Sequence, residues 1–309
     1  MILLFGLPDD PPIAAVRARL AQQRGNALML DQRDVLATSA EMRFERDVSG
    51  WVSWGGVRVD LNEVEAAYLR PYDPTAVESV SRVGRDSPEG RHAVEVYEAI
   101  RVWSELSDAC IVNRLSAMAS NGSKPYQAEL IRRAGFAVPT TLLTTDPERA
   151  LAFVEEHGQV IYKSLSGVRS IVSRLNADMR QRLSLVANCP TQLQRYVPGF
   201  DVRVHVIGDE HVACRIVSDA DDYRYASRQG RRLELEPFAL PLDCAERCRA
   251  LAAELGLLMA GVDLRCTPEG EWVCFEVNPS PGFTFFETPD GRIASSLVRL
   301  MTSKRRGAA

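Results

Sequence analysis

The sequence predicts an α/β protein with α+β character. A small N-terminal α/β lobe, residues 1–112, precedes an α+β region, residues 113–309, built of two subdomains, 113–190 and 191–309. Three observations predict this. A strand, a helix and a second strand follow one another at the start of the chain, the order of a parallel unit. Near residue 113 the texture changes to helices and strands in mixed order. At 309 residues the chain exceeds one average domain, so two or three lobes share its core.

In order, ILLFG reads as a buried strand, AAVRARLAQQRG as a helix closed by Gly25, and ALMLD as a second strand. In GWVSWGGVRVDL, Gly55-Gly56 stands between two alternating runs, a hairpin signal. AAYLRPYD resumes the sheet, and RHAVEVYEAIRVWSELSD is a helix that ends the lobe near Cys110. Beyond residue 113 come a loop, a helix from about Pro125 to Ala134, a turn at Gly135 and a strand. PERALAFVEEHG follows as a helix and QVIYKS as a strand. QLQRYVPGFDVRVHVIGDEHVACRIVS supplies two strands around a Gly208-Asp209 turn. AERCRALAAELGL is an amphipathic helix leading into a last hairpin, GVDLRCTPEGEWVCFEVN, and SKRRGAA is expected to fray.

Composition narrows the function classes. An apolar fraction of 46% and a charged fraction of 25% are those of a globular protein. A net charge of -4 offers no basic field for nucleic acid or anionic lipid. MILLFG is too short an apolar run for a signal peptide or a membrane span. Seven scattered cysteines without a CxxC pair read as reduced thiols of a cytoplasmic protein. No GxxxxGK[ST] or GxGxxG is present, which excludes the usual phosphate loops.

The last hairpin carries most of the chemistry. With Glu269-Gly270 as a two-residue turn, Pro268 faces Glu271, and Asp263 faces Glu276 across the ladder. Asn278 shares the face of Glu276, because strand side chains alternate. Facing carboxylates repel, and a divalent cation reverses that sign. Three oxygen-bearing side chains suit Mg²⁺, with Mn²⁺ as the other cation of that chemistry. The plainer account is an exposed hairpin face with incidental acids. Val262, Leu264, Val273, Phe275 and Val277 speak against it, since they mark a packed, central strand pair.

Lys124 begins a helix just before Pro125, where a cation opposes the helix dipole unless both hold an anion. Lys163 ends the strand VIYK. Taken singly, either lysine also fits a solvated surface charge. Between them and the hairpin, QLQRYVPG reads as a segment linking two lobes whose backbone can meet an adenine edge, and Asp201 can hold ribose hydroxyls. Arg203, on the same strand face, and Arg224, in DDYR, are candidates to stabilise phosphoryl charge, with an ordinary ion pair as the alternative for each.

In this order, NGSKPYQAELIRRAGFAVPTT, VIYKS, LQRYVPGFDVRVHVIGD, DDYR and GVDL…FEVNPSPGF resemble the ATP-grasp superfamily, and within it the RimK-like ligases. The resemblance covers about residues 113–290; the N-terminal lobe matches the smaller domain that precedes an ATP-grasp fold. It implies ATP between two subdomains, with Lys124 and Lys163 on the phosphates and residues 194–197 and Asp201 on the nucleoside. It also implies Mg²⁺ on Asp263, Glu276 and Asn278, with Arg203 and Arg224 as catalytic cations. The implied reaction activates a peptide, protein or amino-acid carboxylate as an acyl phosphate and joins it to an amine or hydroxyl, releasing ADP and phosphate. Arg195 stands where this branch often has glutamate, Ala226 where asparagine is common, and SLSGVRS is poorer in glycine than a typical phosphate-covering loop. These departures lean toward the peptide-modifying ligases. A kinase acting on a hydroxyl and a nucleotide-binding regulatory protein are the competing classes. The identity of the carboxylate and the nucleophile stays open, as does oligomeric state, a homo-oligomer included.

Overall fold

The computed structural model describes residues 1–44, 48–164, 173–219, 223, 226 and 230–303, with the side chains of residues 163 and 164 outside that description. Strand β1 (Ile2–Gly6), helix α1 (Pro11–Gln22) and strand β2 (Ala27–Asp31) form the expected parallel unit. An antiparallel three-stranded sheet follows: β3 (Ser39–Phe44), β4 (Val48–Trp54) and β5 (Val57–Asp60). Gly55 and Gly56 turn between β4 and β5 with φ of 53° and 78°, and Trp54 lies opposite Val57. A two-residue turn of that hand follows the twist of the strands it joins and needs glycine's access to positive φ.

Strand β6 (Ala66–Arg70), the short helix α2 (Glu78–Ser81), helix α3 (Pro88–Leu106) and strand β7 (Cys110–Val112) complete the lobe. Its parallel sheet has the order β2-β1-β6-β7. The sequence reading has neither β3 nor β7. A three-residue strand carries no periodicity; β7 exists because β6 offers it an edge.

Next come α4 (Lys124–Arg133), β8 (Thr141–Thr144), α5 (Pro147–His157), β9 (Val160–Ser164), β10 (Ser173–Arg174), α6 (Ala177–Gln181) and β11 (Thr191–Arg195). Their sheet, β10-β9-β11-β8, packs on α5 through Ala150, Phe153, Val154, Val160 and Leu193. A larger antiparallel sheet is built from β12 (Phe200–Ile207), β13 (Glu210–Ser218), β14 (Leu233–Pro237), β15 (Met259–Cys266) and β16 (Trp272–Asn278), in the order β14-β13-β12-β15-β16. Helix α7 (Leu242–Glu254) and α4 cover one face, where Val202, Val204, Val262, Leu264 and Val277 meet Leu130, Ile131, Cys248 and Leu251.

The other face packs on helix α8 (Arg292–Ser303), on α1 and on β1 of the N-terminal lobe, through Ile207, Cys214 and Met259 against Leu4, Ile13, Phe283 and Leu297. The sequence reading lacks α8, although Ile293, Leu297, Val298 and Met301 lie at helical spacing and are all buried. Lys304 to Ala309, most of the stretch expected to fray, lie outside the described residues.

Two expectations are corrected. The stretch read as two strands holds three, because β11 belongs to the smaller sheet and Pro198-Gly199 turns the chain into β12. Gly199 has φ 140°, and a Cβ there would sit 2.1 Å from the Cys266 carbonyl oxygen, so only glycine lets the chain cross so close to β15. The last hairpin has no two-residue turn: the Thr267 N–H donates to the Glu271 carbonyl at 2.9 Å, leaving Pro268–Gly270 as a three-residue loop. That alone would slide Asp263 away from Glu276. A β-bulge in β16 restores the pairing, with Leu264 opposite Cys274 but Asp263 opposite Glu276. The bulge also turns both Cys274 and Val277 toward the helix-covered face and leaves Glu276 on the opposite one.

Candidate active site

Asp263 and Glu276 face each other, and Asn278 lies two register pairs further on, opposite Gly261. On the neighbouring strand Arg203 is level with Asp263 and donates from Nη1 to its Oδ1 at 2.6 Å. Arg203 is 5% exposed. Its burial opposes the charge, but Asp263 beside it, with Tyr223 and Glu276 nearby, raises its pKa above the ordinary value and keeps it cationic. Gly261 makes room for this side chain: a Cβ there would lie 2.1 Å from Arg203 Nη2.

The guanidinium thus compensates one carboxylate of the pair directly. Among the described residues Glu276 makes no ion pair, and Asn278 Oδ1 accepts from the Ser280 N–H at 2.9 Å. Also among the described residues, no group of three His, Cys, Asp or Glu side chains is placed to hold a metal ion. A cation at this hairpin would therefore rest on two carboxylates, one amide oxygen, water and a phosphate. That is the donor set of Mg²⁺, which keeps waters and shares substrate phosphates. The residues fit it.

Asp201 does not stand free. Arg265, two residues beyond Asp263, grips it bidentately at 2.7 and 2.9 Å and also donates to the Val197 carbonyl at 2.8 Å. Among the four residues 194–197, the Arg195 and Tyr196 N–H groups donate to the Thr140 and Gln159 carbonyls. Gln194 is buried, donates to Thr141 Oγ1 at 3.1 Å, and has its buried Oε1 without a partner among the described residues. Arg195 is exposed. Tyr196, Asp201 and Arg265 line a cavity of about 330 Å³ with Arg174, Arg215 and the stretch Ile216–Asp219. The linker between the two sheets is therefore pinned to the acidic hairpin by one arginine.

Lys124 opens α4 and is half-buried. Lys163 pairs in register with Gln192 on β11, while its side chain is outside the described residues. Arg224 also lies outside them. In the stretch FTFFE that follows the hairpin, Phe283 and Phe286 are buried in the core and serve packing, while Phe285 is 51% exposed. Arg70, at the end of β6, is held by Asp10 Oδ2 at 2.5 Å, Ser280 Oγ at 2.8 Å and the Pro281 carbonyl at 3.1 Å. It straps the N-terminal lobe to the loop after Asn278.

Sequence reasoning missed three polar side chains around the site. Buried Asn113 satisfies its amide fully, donating to the Met259 and Pro279 carbonyls and accepting from the Leu258 and Met259 N–H groups. Gln127 exchanges two hydrogen bonds with Val277, and Arg265 holds the linker. No spacing rule marks these, since their partners are distant in sequence and mostly backbone groups. A compositional signal was available for the lysines. Lysine occurs only at 124, 163 and 304 among 37 basic residues. In so arginine-rich a chain, a retained lysine points to a site wanting a compact ammonium and not a planar fork.

Residues 121–301 match the RimK-like ATP-grasp domain, and the chain belongs to that family. Among solved structures it is similar to a RiPP-associated ATP-grasp ligase of Chryseobacterium gregarium in complex with ADP and a leader and core peptide. The TM-score is 0.82 at 20% identity, over 98% of this chain and 96% of that one. The ATP-grasp ligase PsnB, complexed with a minimal precursor, matches with TM-score 0.79 and 26% identity over 98% of both chains. Among curated proteins, the glutathione synthetase of Vibrio parahaemolyticus serotype O3:K6 is 28% identical over 157 residues, 48% of this chain and 44% of that protein. The chain thus spans about half the length of the first curated relatives it matches.

Proposed function

We propose that the protein is an ADP-forming ligase that uses Mg-ATP to activate a peptide or protein carboxylate and passes it to an amine or hydroxyl. The observation that carries this is the facing pair Asp263 and Glu276 with buried Arg203 bonded to one of them. Support for a peptide substrate comes from the relatives of similar fold, which were solved with leader, core or precursor peptides. Residues 1–112 serve as the domain preceding the ATP-grasp fold, 113–190 together with β11 as its small subdomain, and the rest of 191–309 as its metal-binding subdomain. Seven scattered cysteines without a CxxC pair suit the cytoplasm, and no helix among the described residues is long and apolar enough to cross a membrane.

In this reading the phosphates lie between Lys124, Lys163 and the hairpin, and the adenine lies along residues 194–197. A bound Mg²⁺ supplies charge withdrawal from the β and γ phosphates. The chain's own residues do the rest. Asp263, Glu276 and Asn278 offer the oxygens, and Arg203, fixed by Asp263, presents a permanent cation where charge develops on the transferred group. Arg224 is the second candidate for that role. Asp201 meets the ribose while Arg265 holds its carboxylate in place. A carboxylate is a poor acyl donor until its oxygen carries phosphate, which then leaves as the nucleophile attacks.

The test incubates enzyme, Mg-ATP and acidic peptides and follows ADP release and product mass. Condensation with loss of water, and a hydroxamate when hydroxylamine is added, are the expected results. A peptide heavier by one phosphate would show a kinase, and AMP with pyrophosphate would overturn both readings.

The lysines offer a separate check. Lys124→Ala and Lys163→Ala are each expected to weaken ATP binding by about tenfold or more, the worth of one charge-assisted contact, with adenosine affinity nearly unchanged. Lys→Arg at either position should restore charge but not affinity. Equal loss of ATP and adenosine in calorimetric titrations would assign them to the fold or to the adenine slot.

A further inference from the structure

Strand β16 is the outer strand of the large sheet, so its outward N–H and C=O groups have no partner strand. Two features of the segment 124–137 cover that edge. Ala137 forms a single parallel bridge with Val273, and its carbonyl accepts from the Cys274 N–H at 2.9 Å. At the other end of β16, Gln127 Nε2 donates to the Val277 carbonyl at 2.8 Å while Oε1 accepts from the Val277 N–H at 3.0 Å. The primary amide so replaces one residue of a neighbouring strand. Gln127 is 3% exposed, and Val277 is the residue between Glu276 and Asn278.

We propose that Gln127 is a positioning residue that sets the N-terminus of α4, with Lys124 one turn before it, in register with the strand carrying Glu276 and Asn278. The inference rests on the nucleotide-binding reading above and deepens it. Adhesion of α4 does not need this amide. Leu130 and Ile131 are buried in the core shared with α7 and β15, and apolar packing is non-directional. What apolar packing leaves loose is rotation and slide of the helix along the strand. A buried donor and acceptor that must both be met remove that freedom, since leaving either unmade is costly. The ammonium at Lys124 and the oxygens of β16 reach phosphate and cation together only if their separation is held, and sub-ångström errors in such constellations cost rate and affinity.

Gln127→Met keeps the volume and removes both bonds; Gln127→Glu keeps the acceptor and, when ionised, loses the donor. In the nucleotide-free protein, hydrogen exchange at the Val277 amide should speed up by about tenfold or more in Gln127→Met. Calorimetry should show Mg·ADP affinity falling about tenfold in both variants while adenosine affinity stays within about twofold. A lowered melting temperature with the ratio of Mg·ADP to adenosine affinity unchanged would overturn the proposal, leaving Gln127 a plain structural contact. Unchanged exchange at Val277 would overturn it as well. Wild-type protein that binds no Mg·ADP would sink the nucleotide reading itself, an outcome distinct from a variant that matches a binding-competent wild type.

Discussion

Glu276→Gln is expected to leave the fold intact and to lower turnover at saturating Mg²⁺ by at least about 100-fold, or about 2.7 kcal/mol of transition-state stabilisation. Glu276 makes no ion pair among the described residues, so the amide substitutes without stranding a partner. Asp263→Asn should cost as much in rate and also lower the melting temperature. Its carboxylate compensates Arg203, and a buried guanidinium deprived of its counter-charge is destabilising. The two variants therefore separate a purely chemical loss from a mixed one. The measurements are ADP release across a Mg²⁺ titration and thermal melting by circular dichroism. Wild-type turnover in both variants would remove the hairpin from the chemistry.

Gly261→Ala should reduce turnover by a comparable factor, about 100-fold, through a single methyl group that touches neither nucleotide nor metal. The position does not need glycine for its backbone, since its φ is not in the left-handed region. The added Cβ would meet Arg203 Nη2 at 2.1 Å, Cζ at 2.6 Å and Pro281 Cβ at 2.9 Å. The guanidinium must withdraw, losing Asp263 and the place where charge develops. Gly282→Ala is the control, because a Cβ there has nothing within 4 Å, and it should stay within about 0.5 kcal/mol of wild type in stability. A crystal structure of Gly261→Ala with Arg203 unmoved, together with unchanged turnover, would refute the assignment of Arg203.

The hairpin shows how far a local pattern can be read. Its sequence marks two strands and a turn, and the expected pairing of Asp263 with Glu276 is the observed one. The expected route to it is not. A loop longer by one residue and a bulge near Phe275 shift the register in opposite senses and cancel. Turn length and bulges answer to the packing of Cys274 and Val277 on the helix-covered face, which no ladder count contains. Helix α8 was legible from its apolar spacing, whereas β7 depended on an edge supplied by β6.

By itself, then, the sequence determined the local elements: the alternating runs of the hairpins, the glycine pair at 55 and 56, the capped and amphipathic helices. It also determined the order of charged residues along the later strands. Those follow from interactions between neighbours in the chain, so they survive without knowledge of the fold. Only the tertiary structure decided that Arg203 rests on Asp263 over Gly261, that Arg265 takes Asp201 and Val197, and that Asn113 and Gln127 bind backbone groups of β15 and β16. Each joins groups distant along the chain, and a buried polar group accepts whichever partner packing brings within reach because leaving it unpaired costs more than any local preference is worth.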